Sequence, residues 1–151
     1  MMRKPTSAVN RTPIRVVLVT MDSHLGGAFA RASDTLRREL PNLELVMHAA
    51  DEWGCTPRSC GRACRNGAAH AAEKWGCNPE AVKAANDDIA KADIVIAAML
   101  FLDEHVQAVL PALQARRDNC DAIVGCLSAS EIVRLTRLGR SEIQEELARL
   151  R

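Results

Sequence analysis

The sequence predicts an α/β fold, a three-layer, doubly wound parallel sheet of about four strands in the flavodoxin-like (Rossmann-like) order 2-1-3-4. Three observations predict it. Lys91 to His105, KADIVIAAMLFLDEH, holds a near-continuous apolar run from Asp93 to Leu102, which suits a strand covered on both faces. Helical patterns precede and follow that run. Strand-like and helix-like stretches alternate along the whole chain, which calls for parallel strands joined by right-handed crossovers.

The elements follow in order. Residues 1–13 are polar, lack the apolar core of a secretory signal, and read as a disordered arm ended by Pro13. Ile14 to Thr20 is a β-branched run and a buried strand. After the turn MDSHLGG, Leu25, Phe29, Ala32, Leu36 and Leu40 recur at helical spacing, with Arg31, Asp34, Arg37 and Arg38 opposite. Pro41 stops that helix. Leu43, Leu45 and Met47 alternate with Glu44, Val46 and His48, as in a half-exposed edge strand. Asn78 and Pro79 supply a cap and a first-turn proline for a helix burying Val82, Ala85, Ile89 and Ala92. The central strand comes next. Asp103 and Glu104 open its following helix, Glu104 to Arg117, at the positive end of the dipole, and Pro111 kinks or restarts it.

Ala122 to Leu127 is a fourth strand. Ser128 and Glu131 form a capping box for a helix striped by Ile132, Leu135 and Leu138 and ended by Gly139. Residues 141–151 close with a short helix capped by Ser141 and Gln144 and carrying Ile143, Leu147 and Leu150. The main domain thus covers 14–140. With no fifth strand in sight, the fourth is expected to be an open apolar edge.

Composition narrows the function. The 151 residues suit one domain with a substantial core. A formal charge of +1 gives no basic excess for nucleic acid or a membrane surface. Tyrosine is absent and other aromatics are scarce, so stacking platforms for single-stranded nucleic acid are missing. No stretch is long and apolar enough for a transmembrane segment. A cytoplasmic location is expected, where the six cysteines are thiols or metal ligands.

Doubly wound sheets bind ligands at the carboxyl ends of their strands, where strand order reverses. That crevice lies between the first and third strands. Thr20, Met21, Asp22, Ser23 and His24 line one side; Met99, Phe101, Leu102 and Asp103 line the other. Methionine, phenylalanine and leucine there suit a flat apolar ligand or a protein surface. No GxGxxG or GxxxxGK[ST] motif supports phosphate binding. Asp22, Ser23 and His24 are sequence neighbours on one turn, with no nucleophile elbow, so no catalytic relay is assigned.

Cys55, Cys60, Cys64 and Cys77 have thiols enough for zinc or an iron–sulfur cluster, but no CxxC pair and no established spacing. His48 to Cys55, HAADEWGC, also returns 22 residues later as HAAEKWGC, His70 to Cys77. Residues 55–77 therefore read as a duplicated, Cys-rich solvated insert, with Cys77 an echo of Cys55. Arg58, Arg62 and Arg65 favour thiolates there. Cys120 and Cys126 are read as small buried hydrophobes at the start of and within the fourth strand.

Four stretches resemble one family: Val16–Ala32, Leu36–Trp53, Ala92–Ala122 and Ser128–Arg140. MLFLDEH at Met99–His105 and CDAIVGCLSASEIVRLTRLG at Cys120–Gly139 are the most specific. Together they resemble the N-terminal region of the large H subunit of magnesium chelatase, the porphyrin-binding subunit of (bacterio)chlorophyll synthesis; the cobalt-inserting relative is more distant. The resemblance implies a holoenzyme that inserts Mg2+ into protoporphyrin IX, with ATP used by two AAA-type partners, the I and D subunits. It implies a head domain with a docking or substrate-gating role beside the remainder of the H subunit, with no catalytic residue or cofactor of its own and no chelation alone. The Cys-rich insert and the sequence after Arg140 depart from the family pattern.

Two other readings stay open. Asp22-x-His24-x-x-Gly27 resembles a corrinoid-binding motif whose histidine ligates cobalt, although Ser128-Ala-Ser130 only partly matches the motif's later portion. An interaction domain docking through the fourth-strand edge is the other.

Overall fold

A computed structural model of the chain describes residues 13–54, 78–139 and 141–142. The strands are β1 (Ile14–Thr20), β2 (Leu43–Ala49), β3 (Ile94–Ala98), β4 (Ala122–Cys126), β5 (Arg137–Leu138) and β6 (Ser141–Glu142). The helices are α1 (Gly26–Glu39), α2 (Pro79–Lys91), α3 (Asp103–Arg116) and the single turn α4 (Ser130–Val133). The sheet order is β2-β1-β3-β4-β5-β6, with β1 to β4 parallel and β5 and β6 antiparallel additions. The expected order 2-1-3-4 is present within it.

Local chemistry sets the boundaries. Asn78 Oδ1 accepts the Ala81 N–H at 3.1 Å, and Pro79 takes the first turn of α2. Pro41 follows the end of α1, whose C-cap residue is Leu40. Pro111 lies inside α3 and the helix continues through it; the proline removes one N–H without ending the element.

Register assigns the faces. Val17 pairs with Val95, and Val95 with Ile123, so these side chains point to one side. They meet Ala85 and Ile89 of α2 and Val109 and Leu113 of α3, and all are fully buried. The crossovers into β3 and β4 run opposite to the crossover into β2, so α1 alone lies on the other side. There Ile94, Ile96, Ala98 and Val124 are only partly covered and Cys126 is exposed. The central strand is therefore sealed on one face and half-covered on the other, a correction to the expectation that both faces are sheathed. Cys126, expected to be buried, is exposed because it ends a strand on this thinly covered side.

The inward face of α1 is also rotated from the expected stripe. Ser33 is buried between half-buried Phe29 and Leu36, while Ala32 and Leu40 are exposed. With no second helix beside it, α1 lies shallowly on the sheet.

At the amino ends of the strands, Asp93 ties its neighbours together. Its Oδ2 accepts the Arg15 N–H at 2.8 Å, and its carbonyl accepts the Asp121 N–H at 2.8 Å. Arg15 and His48 converge on the two carboxylate oxygens of Asp88, at 2.7 and 2.8 Å, linking β1 and β2 to α2.

The largest departure concerns β4. Its outer edge is not open. Leu138 and Arg137 pair with Ala122 and Ile123. Above them the Thr136 hydroxyl accepts the Gly125 N–H at 3.0 Å and lies 3.3 Å from the Gly125 carbonyl. Of the helix expected after Ser128, only Ser130–Val133 is helical. Gly139, expected to stop that helix, sits at φ +63° in the turn between β5 and β6. Ser141 and Glu142, expected to open a closing helix, form β6; the residues that would carry that helix's stripe lie outside those described.

Gly125 permits this arrangement. A Cβ there would stand 2.6 Å from the Ile132 carbonyl oxygen and 3.0 Å from the Val133 Cα. Both are backbone atoms with little room to yield. Gly125→Ala is expected to cost about 1–3 kcal/mol by overpacking, read as a fall in the urea midpoint; an unchanged midpoint would refute the close approach.

Candidate functional site

The crevice at the carboxyl ends of the strands has two unlike sides. On the first, β1 gives way to Met21, Asp22 and one 3₁₀ turn, Ser23–Leu25. Asp22 Oδ1 caps that turn by accepting the His24 N–H at 2.7 Å. Ser23 donates its N–H (3.0 Å) and its hydroxyl (2.7 Å) to Asp51 Oδ2, while the Asp51 N–H donates to the Met21 carbonyl at 3.0 Å. Asp51 belongs to a second 3₁₀ turn, Ala50–Trp53, that follows β2. Burial pushes the Asp51 carboxyl upward, but the two Ser23 donors and the N–H groups of Asp51 and Glu52 outweigh it and hold the group below its ordinary value.

Met21 packs against the core, and Asp22 and Ser23 are engaged in these caps. The His24 side chain is 93% exposed, with its Nε2 4.0 Å from Asp22. Gly27 has no special duty, since a Cβ there would meet only the Arg31 guanidinium at 3.7 Å. Asp22, His24 and Gly27 are thus accounted for by a capped turn and the start of α1.

The second side is apolar and stiff. Met99, just after β3, has φ 59°, and Leu127, just after β4, has φ 47°. Neither is glycine, so each holds a left-handed conformation at a cost of about 1–2 kcal/mol. The Ser128 hydroxyl braces them. It accepts the Leu100 N–H at 3.2 Å and lies 3.0 Å from the Cys126 carbonyl and 3.3 Å from that of Ala97. Met99 N–H to Cys126 O (3.3 Å) and Ala129 N–H to Leu100 O (2.8 Å) complete the tie. Ser128 is therefore a brace between two loops and not the helix cap expected of it; α4 has Ala129 at its cap position with no side-chain bond.

Leu100 anchors this side, fully buried, while Phe101 is 55%, Leu102 47% and Leu127 75% exposed. Asp103 follows as the first residue of α3. Below the rim, His105 is buried edge-on to Trp53, ring centroids 5.9 Å apart. The rim offers apolar contact area on a braced backbone. It brings no base to a nucleophile.

Sequence reasoning placed Met99, Phe101 and Leu102 here but missed Leu127, Ser128 and Asp51. Leu127 was discoverable by the rule that placed the others, being the residue just past a strand's carboxyl end. Asp51 carried no periodic signal. Cys55, Cys60, Cys64 and Cys77 lie outside the described residues. Among the described residues, no group of three or more His, Cys, Asp or Glu side chains could hold a metal ion, and no helix is long and apolar enough to cross a membrane.

A family model described as a domain of unknown function (DUF3479) matches residues 15–69 and 66–150. The H subunit of magnesium chelatase from Cereibacter sphaeroides is 41% identical over 130 residues, 86% of this chain and 9% of the relative. The H subunit from Rhodobacter capsulatus is 39% identical over 124 residues, 82% of this chain and 9% of the relative. The chain spans under a tenth of the length of these curated relatives.

Two expectations follow from the site. Leu127→Gly relieves the left-handed strain, about 1–2 kcal/mol, against about 0.4–1 kcal/mol of added unfolded-state freedom. The variant should be as stable as the parent or more stable by up to about 1.6 kcal/mol in urea; a clear loss would refute the strain. Asp51 stabilises the fold fully above its ordinary value of 3.8, and that contribution drains away as pH falls through the lower folded-state value. Asp51→Asn should therefore flatten the acid limb of a plot of Tm against pH, and an unaltered limb would refute the assignment.

Proposed function

The chain belongs to the family of the N-terminal domain of the magnesium-chelatase H subunit, and from that premise we propose that it is a docking and substrate-gating head for the chelatase. In this reading the holoenzyme inserts Mg2+ into protoporphyrin IX in the cytoplasm, and the AAA-type I and D subunits supply ATP-driven work. The head binds the remainder of the H subunit and contributes no metal-inserting group.

The supporting observation is the braced rim. Phe101, Leu102 and Leu127 project from two loops joined by the Ser128 hydroxyl. Exposed apolar side chains on a fixed backbone lose little conformational freedom when covered. Covering what remains exposed of each would contribute about 1–2 kcal/mol. A flat macrocycle approaching the crevice would meet the same surface, which is the basis for gating.

Complementation tests this. The chain with I and D subunits, ATP, Mg2+ and protoporphyrin IX is expected to form no magnesium porphyrin. Added to an H subunit lacking the matching segment, it should restore activity. Phe101→Asp with Leu127→Asp should lower that restoration roughly tenfold or more, the scale of losing a buried hot spot. Chelation by the chain without the remainder of the H subunit, or full restoration by the rim variant, would overturn the proposal.

A further inference from the structure

We propose that the outer edge of β2 pairs antiparallel with the same strand of a second copy of this chain, about a two-fold axis at Val46. This goes beyond the docking role and does not depend on it. β1 and β3 stand between β2 and β4, so the pairing leaves the rim free.

The edge is long and unguarded. Among the described strands β2 pairs only with β1, residue for residue from Leu43 to Ala49 and without a bulge. It holds no proline and no lysine, two of the features that keep sheet edges apart. In a parallel pair the backbone groups of alternate residues point to opposite sides. The Asn42 carbonyl accepts the Ile14 N–H at 2.9 Å, so Asn42, Glu44, Val46 and His48 serve β1. Leu43, Leu45, Met47 and Ala49 point outward. The Leu43 N–H is taken by the Leu40 carbonyl at 3.0 Å. Among the described residues, nothing meets the N–H and C=O groups of Leu45 and Met47.

The strand is complementary to itself. Turned about Val46, it pairs over its whole length. Leu45 then faces Met47 of the second copy, and Leu43 faces Ala49 of the second copy. These are the outward-pointing residues, as the hydrogen-bonded pairs of an antiparallel ladder must be. Leu45 and Met47 exchange both backbone bonds, and their side chains meet on the α1 side. Val46 faces its own counterpart, and Glu44 faces His48, as the closer, non-hydrogen-bonded pairs on the α2 side.

Charge supports the same register. Within one copy, acid and base alternate along Glu44, Arg15, Asp88 and His48, with contacts of 3.6, 2.7 and 2.8 Å. That row ends on the exposed Glu44 carboxylate and on the His48 imidazole. The axis at Val46 sets each end against the opposite end of the second copy and closes the two rows into one ring. An axis at Glu44 or His48 would set like against like. One at Leu45 or Met47 would put Val46 opposite Glu44 or His48. The surface thus fits its own copy, as an isologous contact requires.

Sedimentation and amide exchange of the full chain test this, with reductant present to prevent disulfide-linked species. A concentration-dependent monomer–dimer equilibrium is expected. The Leu45 and Met47 amides should gain protection as the dimer fills, while that of Val46, already bonded to β1, stays unchanged. Leu45→Pro removes an outward N–H and spares the ladder to β1; it should weaken association roughly tenfold or more. Glu44→Lys leaves the backbone untouched and should weaken it severalfold. A chain that stays monomeric at ~1 mM, a dimer whose Leu45 and Met47 amides exchange as in the monomer, or association indifferent to both variants would overturn the proposal. Protection of these amides that appears only when the remainder of the H subunit is added would also overturn it, giving the edge to a strand of that segment.

Discussion

The outer edge of β4 must have partners for its backbone groups, and the way the chain supplies them shapes the rest of the domain. A parallel strand left open offers donors and acceptors to any passing chain. Here two residues of β5 pair with its lower half, and the Thr136 hydroxyl serves Gly125 above them. To reach that position from the carboxyl end of β4, the chain must turn sharply, and Leu127 takes a left-handed conformation to begin the turn. Ser128 then ties it to the end of β3. Leu127, the rim's most exposed residue, is a product of the same excursion that closes the edge.

The alternation of strands and helices was legible because each boundary carries its own chemistry. Asn78 with Pro79, Pro41 before β2, and the apolar runs at Ile14 and Asp93 need no distant partner to be read. The stretch after β4 was not legible for the opposite reason. Ile132, Leu135 and Leu138 have helical spacing, yet unpaired strand groups a few ångströms away outweigh that weak local preference. The inward face of α1 was misplaced by part of a turn, because a helix lying alone on a sheet need not bury its most apolar stripe. Half of the candidate site followed from a positional rule. The other half, Asp51 and Ser128, acts through single polar bonds between distant segments, which leave no periodic trace.

Asp51 connects the crevice to the core. Its carboxylate holds Ser23 at the crevice, and its turn carries Trp53 into the core. The turn after β2 therefore supports the crevice's polar side, while the Ser128 brace supports the apolar side. One side of the crevice thus rests on the turn after β2 and the other on the loop after the neighbouring strand.

The hairpin that shields β4 comes from residues 137–142, after every strand it protects. In a nascent chain emerging from the ribosome, β4 therefore appears before the residues that cover its flank. During that interval the flank is open to other nascent chains or to chaperones, and translation speed through this short stretch sets how long the exposure lasts.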